Sequence, residues 1–186
     1  MNESKISNWQ RKSNFLHFEM LMRKPFFVQI SKGQSFMDYF IPSTQEDFDH
    51  IVNGFRNKTL PAKEWTHEAH LITGLWHVAH LGHEKALADM RVGIRTYNES
   101  IGGMNTDSGG YHDSITVFWI WLLNEFWYRY SDEQQSFEEV GNLFLRSKYC
   151  DRGTALLFYS KDFLFSKEAR LGFVEPDIQV FDFEKI

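Results

Sequence analysis

Cysteine, clustered positive charge and long apolar runs are all scarce in this chain, and each scarcity excludes something. The single cysteine, Cys150, leaves no intramolecular disulfide framework and no cysteine-rich zinc ribbon. A reducing compartment is therefore the expectation, with Cys150 a structural thiol. No cluster of Lys and Arg exceeds two adjacent residues, and the net charge is −5. That balance argues against a nucleic-acid binder and against docking on an anionic membrane surface. The longest apolar run is VFWIWLL at 117–123, far short of the ~20 residues a membrane span requires. Charged residues recur through 1–24, so no apolar core of a secretory signal is visible. The expected setting is soluble and cytoplasmic.

What is present is helical pattern. At 186 residues the chain suits one compact domain. Residues 1–43 differ from the rest: PFFVQISKGQSFMDYFI alternates β-branched and aromatic residues around a Lys-Gly-Gln turn, which predicts a hairpin or extended arm. From 44 to 186 the expected fold class is all-α, a single-domain bundle of about five to six helices. Ser43-Thr44 opens a helix carrying Phe48, Ile51, Val52 and Phe55 on one face. A second runs from the Thr66 cap to Gly82, and a third from about Glu84 to Ile101 with Leu87, Met90, Ile94, Tyr97 and Ile101 on one side. GGMNTDSGG at 102–110 predicts a loop. Asp113 to Tyr130 is apolar on all sides, the pattern of a central buried helix rich in aromatic side chains. Asp132 is the expected cap of the next helix, and short helices with an extended tail complete the chain.

The chemistry concentrates in WTHEAHLITGLWHVAHLGH at 65–83, which holds five of the eight histidines. At about 100° per residue, His67 and His70 fall on the apolar arc with Leu71, Gly74, Val78 and Leu81. His77 sits at the edge of that arc, while His80 and His83 turn toward solvent. HEAH has its histidines at i, i+3, so it is not the zincin helix, which needs i, i+4. No second Glu-x-x-His accompanies residues 64–67, which also disfavours a di-iron bundle. The natural partner is YHDSIT at 111–116, where the glycine loop runs into the buried helix. His67, His70 and His112 form a candidate metal set suited to Zn²⁺, Fe²⁺ or Mn²⁺. Tyr111 and Asp113 are the candidate catalytic side chains beside it, and the 102–110 loop is a candidate lid.

A metal-free alternative uses His67 or His112 as general base. In it Arg91 and Arg95, one turn apart, hold an anionic ligand, with Asn98 and Asn105 as further ligand-binding positions. The bland alternative is a structural or partner-binding helical module in which these polar residues satisfy one another. Arg170 is expected to pair with a carboxylate and lock the tail. Trp65 reads as core. A small-molecule ligand is the expected partner, with neither nucleic acid nor membrane; a homo-oligomer is compatible with the pattern.

Three stretches, FRNKTLPAKEWTHEAHL, IRTYNESIGGMNTDSGGYHDSIT and YSKDFLFSKEARLGFVEPD, together resemble a family of small, mainly bacterial proteins without an assigned activity. The likeness spans about residues 48 to 178. It rests on His67, His70, Leu71, Tyr111, His112, Thr116, Tyr159, Ser160, Ala169, Arg170, Pro176 and Asp177. Asp113 departs from it, standing where the family has Glu. The resemblance implies which residues matter and implies no reaction.

Overall fold

The computed structural model describes residues 42–186, and every regular element among them is helical. The expected all-α class is therefore the observed one. The arm expected at 1–43 lies outside the described residues except for Pro42 and Ser43.

Helix α1, Gln45–Asn57, begins where the sequence predicts it. The Thr44 hydroxyl accepts from the Asp47 N–H at 3.1 Å, and the Asp47 carboxylate accepts from the Thr44 N–H at 3.0 Å. This reciprocal capping box satisfies two donors that the helix itself leaves unpaired. Phe48, Ile51, Val52 and Phe55 form its buried stripe. Helix α2, His67–Leu81, is capped by Thr66, whose hydroxyl accepts from Ala69 N–H. It stops at Gly82, whose φ of 74° is a conformation that side chains rarely adopt. That one-residue break turns the chain into α3, His83–Ser100, which packs back on α2.

Helix α4, Asp113–Tyr130, is central: it touches α2, α3, α5 (Phe137–Arg146) and α7 (Lys167–Leu171). Gly74 allows the close approach of α2, since a Cβ there would stand 2.7 Å from Leu123 Cδ1. Phe118, Ile120, Leu122, Leu123 and Phe126 are buried, whereas Trp119, Trp121 and Trp127 are half-buried. The all-round apolar sequence has a simple cause on the Trp121 side. The C-terminal tail returns over it, and Phe181 stacks on Trp121 with ring centroids 4.8 Å apart.

Two local expectations are corrected. The cap of α5 is Ser136, not Asp132: its hydroxyl accepts from Glu139 N–H while the Glu139 carboxylate accepts from Ser136 N–H. Asp132 instead accepts from the N–H groups of Gln134 and Gln135, closing a turn before the helix. The tail also ends differently. Phe183 is buried in a short 3₁₀ turn, Phe183–Lys185, and stacks on Tyr149. Between α5 and α7 lie two 3₁₀ turns, Lys148–Cys150 and Thr154–Leu157, and one further short α-helix, α6, Lys161–Leu164.

Candidate functional site

Two adjoining cavities open between α2, α3 and the start of α4. One, of about 490 Å³, is lined by His67, His70 and the apolar side chains of Leu71, Met90, Ile94 and Trp119, with Arg152 at its margin. The other, of about 560 Å³, runs under the 102–110 loop to Tyr111, His112 and Arg170. Trp65, His70, Ile94, Ile115 and Thr116 line both, so the two are lobes of one cleft. Each volume lies within the ~300–1,000 Å³ of small-molecule sites. The loop therefore does bring His70 and His112 onto a single cavity.

His70 occupies the wall common to both lobes. Its Nδ1–H donates to the Thr66 carbonyl at 2.7 Å, which fixes the tautomer and leaves Nε2 as the acceptor nitrogen. Its ring lies on Trp65, with centroids 3.8 Å apart. Although the ring opens onto the cleft, protein atoms crowd it. Burial, opposed by the Thr66 hydrogen bond, pulls its pKa down to about 4, so the imidazole is neutral at pH 7. His67, one turn earlier, donates from Nε2 to the Cys150 carbonyl at 2.9 Å, which leaves Nδ1 as its acceptor. Burial lowers its pKa as well.

His112 is placed differently. Its Nε2–H donates to the Leu164 carbonyl at 2.9 Å, while Nδ1 accepts from Ile115 N–H as the cap of α4. Both ring nitrogens are thus committed within the chain. Burial and then the charge of Arg170 lower its pKa, which keeps that neutral arrangement. Among the described residues, no group of three or more His, Cys, Asp or Glu side chains is arranged to hold a metal ion.

Asp113 is buried and faces Arg91, away from the cleft. Arg91 meets it through two hydrogen bonds, Nε to Oδ1 at 2.9 Å and Nη2 to Oδ2 at 2.7 Å. Tyr111 donates its hydroxyl to the same Oδ1 at 2.6 Å. Burial raises the Asp113 carboxyl, but the Arg91 and Tyr111 hydrogen bonds and the charges of Arg91 and Arg95 outweigh it, leaving a net lowering. Burial, then the Asp113 hydrogen bond, pushes the Tyr111 phenol up to about 12. Arg95 lies over the Tyr111 ring, 3.9 Å from its centroid. Asp113, Tyr111, Arg91 and Arg95 therefore form one network that pins the α4 N-terminus to α3. Neither arginine lines the cleft; of the four expected ligand-binding positions, Asn98 alone does.

Asn105 secures the loop. Its amide donates to the Arg95 carbonyl at 3.0 Å, and its oxygen accepts from Asn98 and from Tyr111 N–H. Gly110, at φ 77°, ends the loop, and a Cβ there would lie 2.3 Å from the Met104 carbonyl oxygen. Arg170 corrects another expectation. It pairs with no carboxylate among the described residues; its Nη1 donates to the carbonyls of Gly110 and Tyr111, at 3.2 and 3.1 Å.

His80 lies outside as the helical projection predicts and His77 is resolved inward, whereas His83 departs from it, opening α3 rather than closing α2. His77 is buried and donates from Nδ1 to the Thr73 carbonyl at 2.7 Å; His80 is exposed and stacks on Trp76. His83 is half-buried beside Glu84.

Trp65 departs from a plain core reading. It packs against Phe55, Tyr97 and His70, yet it also lines both lobes. Its buried indole N–H has no hydrogen-bond partner among the described residues. The sequence signal for Trp65 as a cleft wall is its place two residues before His67; Trp119 lies seven residues after His112, about two turns along the buried helix, and carries no such local signal.

Comparison with known families, with curated proteins and with solved structures finds no match to this chain. The chemistry of the cleft is accordingly inferred from its own side chains.

Proposed function

We propose that the cleft is a small-molecule site in which His70 acts as a neutral acceptor or general base on a bound polar ligand, with His67 beside it. The observation that carries this reading is His70 itself. Its Nδ1–H is tied to Thr66, its ring is held on Trp65, and its Nε2 has no protein partner among the described residues. A neutral imidazole with one fixed proton and one open nitrogen is the form in which histidine accepts a proton. The candidate base thus moves from His112, whose nitrogens are both used, to His70. Asp113 holds the scaffold of the site rather than touching what binds there, whereas Tyr111 lines the lobe under the loop but spends its hydroxyl on Asp113. The absence of a span-length helix among the described residues and the lone cysteine fit a soluble protein of a reducing, cytoplasmic compartment.

Ligand-observed NMR tests the reading. Small hydroxy acids, alcohols and amines are screened against the protein and against His70→Gln, with His80→Gln as an exposed control. Hits that weaken at least about fivefold in His70→Gln and not in His80→Gln are the expected outcome. A hit set indifferent to His70→Gln counts against the proposal.

One observation favours a second reading. His67 Nδ1 and His70 Nε2 are two neutral imidazole nitrogens, one helical turn apart, lining the same lobe. Such a pair suits Zn²⁺, Fe²⁺ or Mn²⁺ when ligand or water completes the shell. His112 would have to give up its bonds to Leu164 or Ile115 to join it. Elemental analysis of protein purified without an affinity tag, set against His67→Ala/His70→Ala, separates the readings. Stoichiometric metal lost in the double variant supports the ion; its absence from both samples counts against it.

A further inference from the structure

Both lobes of the cleft are lined largely by apolar side chains, with Arg152 at the margin of one and Arg170 at the end of the other, and the setting of Arg170 points to a class of ligand. The lobe beside α3 presents Leu71, Met90, Ile94 and Trp119. The lobe under the loop ends at Arg170. Arg170 spends only Nη1 on the protein, and the two carbonyls that receive it, Gly110 and Tyr111, hold the guanidinium at the cleft. Its Nε and Nη2 have no protein acceptor among the described residues. The charged groups nearby do not neutralise it. Asp113 is engaged by Arg91, Asp107 pairs with Lys167 at 2.8 Å, and His112 is neutral. A guanidinium fixed by its neighbours offers a planar fork to a carboxylate or phosphoryl group.

We propose that the cleft takes a small amphipathic acid, with its oxyanion head on Arg170 and its apolar body along Met90, Ile94 and Trp119. His70, in the wall common to both lobes, then faces the atoms next to the head, where its open Nε2 accepts from a hydroxyl or amine. This assignment rests on the small-molecule reading of the cleft. Arg170 takes the part that the sequence assigned to Arg91 and Arg95.

Calorimetric titration of the full chain with four probes tests head and body separately. The probes are 3-phenyllactate, its neutral amide, 3-phenylpropanoate (which lacks the hydroxyl) and phenethyl phosphate. Phenyllactate should bind at least about tenfold more tightly than its amide, the loss expected when a charge-assisted hydrogen bond is removed. Arg170→Gln should bring phenyllactate down to the affinity of the amide and leave the amide unchanged. Arg170→Lys should recover part of the loss, and circular dichroism melts establish that both variants fold. The more tightly held of 3-phenylpropanoate and phenethyl phosphate, both without the hydroxyl, identifies the head as carboxylate or phosphoryl. Equal binding of acid and amide, or an Arg170→Gln variant that binds phenyllactate unchanged, overturns the acid assignment. If His70→Gln still abolishes the preference for phenyllactate over phenylpropanoate, the small-molecule reading survives that failure. If no probe binds and none moves the His70 ring resonances, both fall.

Discussion

Acidification should unload stability from this fold through His70, and the size of the effect can be worked from its surroundings. The ring has an ordinary pKa of 6.5 and a folded value of about 4. Between those values the unfolded chain binds a proton that the folded state refuses. Stability present at pH 7 is therefore lost as pH falls through that window, and His70 removes no more once pH drops below its folded pKa. At pH 5 the unfolded ring is mostly protonated and the folded ring is not. The gap is about 1.5 units at about 1.36 kcal/mol each, or about 2 kcal/mol. His70→Gln cannot titrate there. At pH 7 it should be less stable than the natural protein by about 1–2 kcal/mol, having lost the imidazole packed against Trp65 and its Nδ1–H bond to the Thr66 carbonyl. By pH 5 that deficit should shrink to near zero or reverse, because only the natural protein is losing stability through residue 70. Chemical denaturation at pH 7, 6 and 5 on both proteins reads the crossing. The His70 ring carbon and proton resonances, followed from pH 7.5 to 4.5, read the pKa directly. A folded pKa above 6, or a deficit that stays constant across the three pH values, refutes the claim that burial keeps this ring neutral.

Asp113→Asn should cost about 2 kcal/mol, since it leaves Arg91 facing an amide and weakens the Tyr111 hydrogen bond; urea unfolding measures it, and a loss under 0.5 kcal/mol would contradict the network. Gly110→Ala forces a side chain into φ 77° and against the Met104 carbonyl. It should destabilise the 102–110 loop by about 1–2 kcal/mol and speed its amide exchange, read by hydrogen–deuterium exchange, while α2 exchanges as before. Ser136→Ala removes the working cap of α5 and should cost about 1 kcal/mol. Asp132→Ala, which opens only a turn, should cost less than half of that, and the opposite order in thermal melts would restore Asp132 as the cap.

The helices were legible because their signals are local. Thr44 and Thr66 each precede an apolar stripe at 3–4 spacing, and Gly82 stands where one helix must stop and the next begin. Ser136 was hidden for the same reason: Asp132 and Ser136 both carry capping side chains, and only the Glu139 carboxylate reaching back to Ser136 N–H decides between them. The long-range contacts have no such local trace. His112 carries the right chemistry for a ligand, but its Nε2–H is claimed by the Leu164 carbonyl, fifty-two residues on. Helical projection places His67 and His70 inward without revealing that one ring spends Nε2 and the other Nδ1.

The arginines make the same point with charge. On α3, Arg91 and Arg95 look available because their neighbours in sequence are mixed. The carboxylate that takes Arg91 lies on α4, and the ring beneath Arg95 belongs to Tyr111, which follows the loop. Arg170 has Glu175 and Asp177 close by in sequence, which suggests an internal ion pair. Asp177, however, accepts from the backbone N–H and the hydroxyl of Ser160 at the head of α6, at 2.8 and 2.6 Å. Those bonds hold its pKa below the usual carboxylate range and keep it occupied. What remains for Arg170 is two loop carbonyls and the cleft. Arg170 thus reaches the cleft although its sequence neighbours seemed well able to neutralise it.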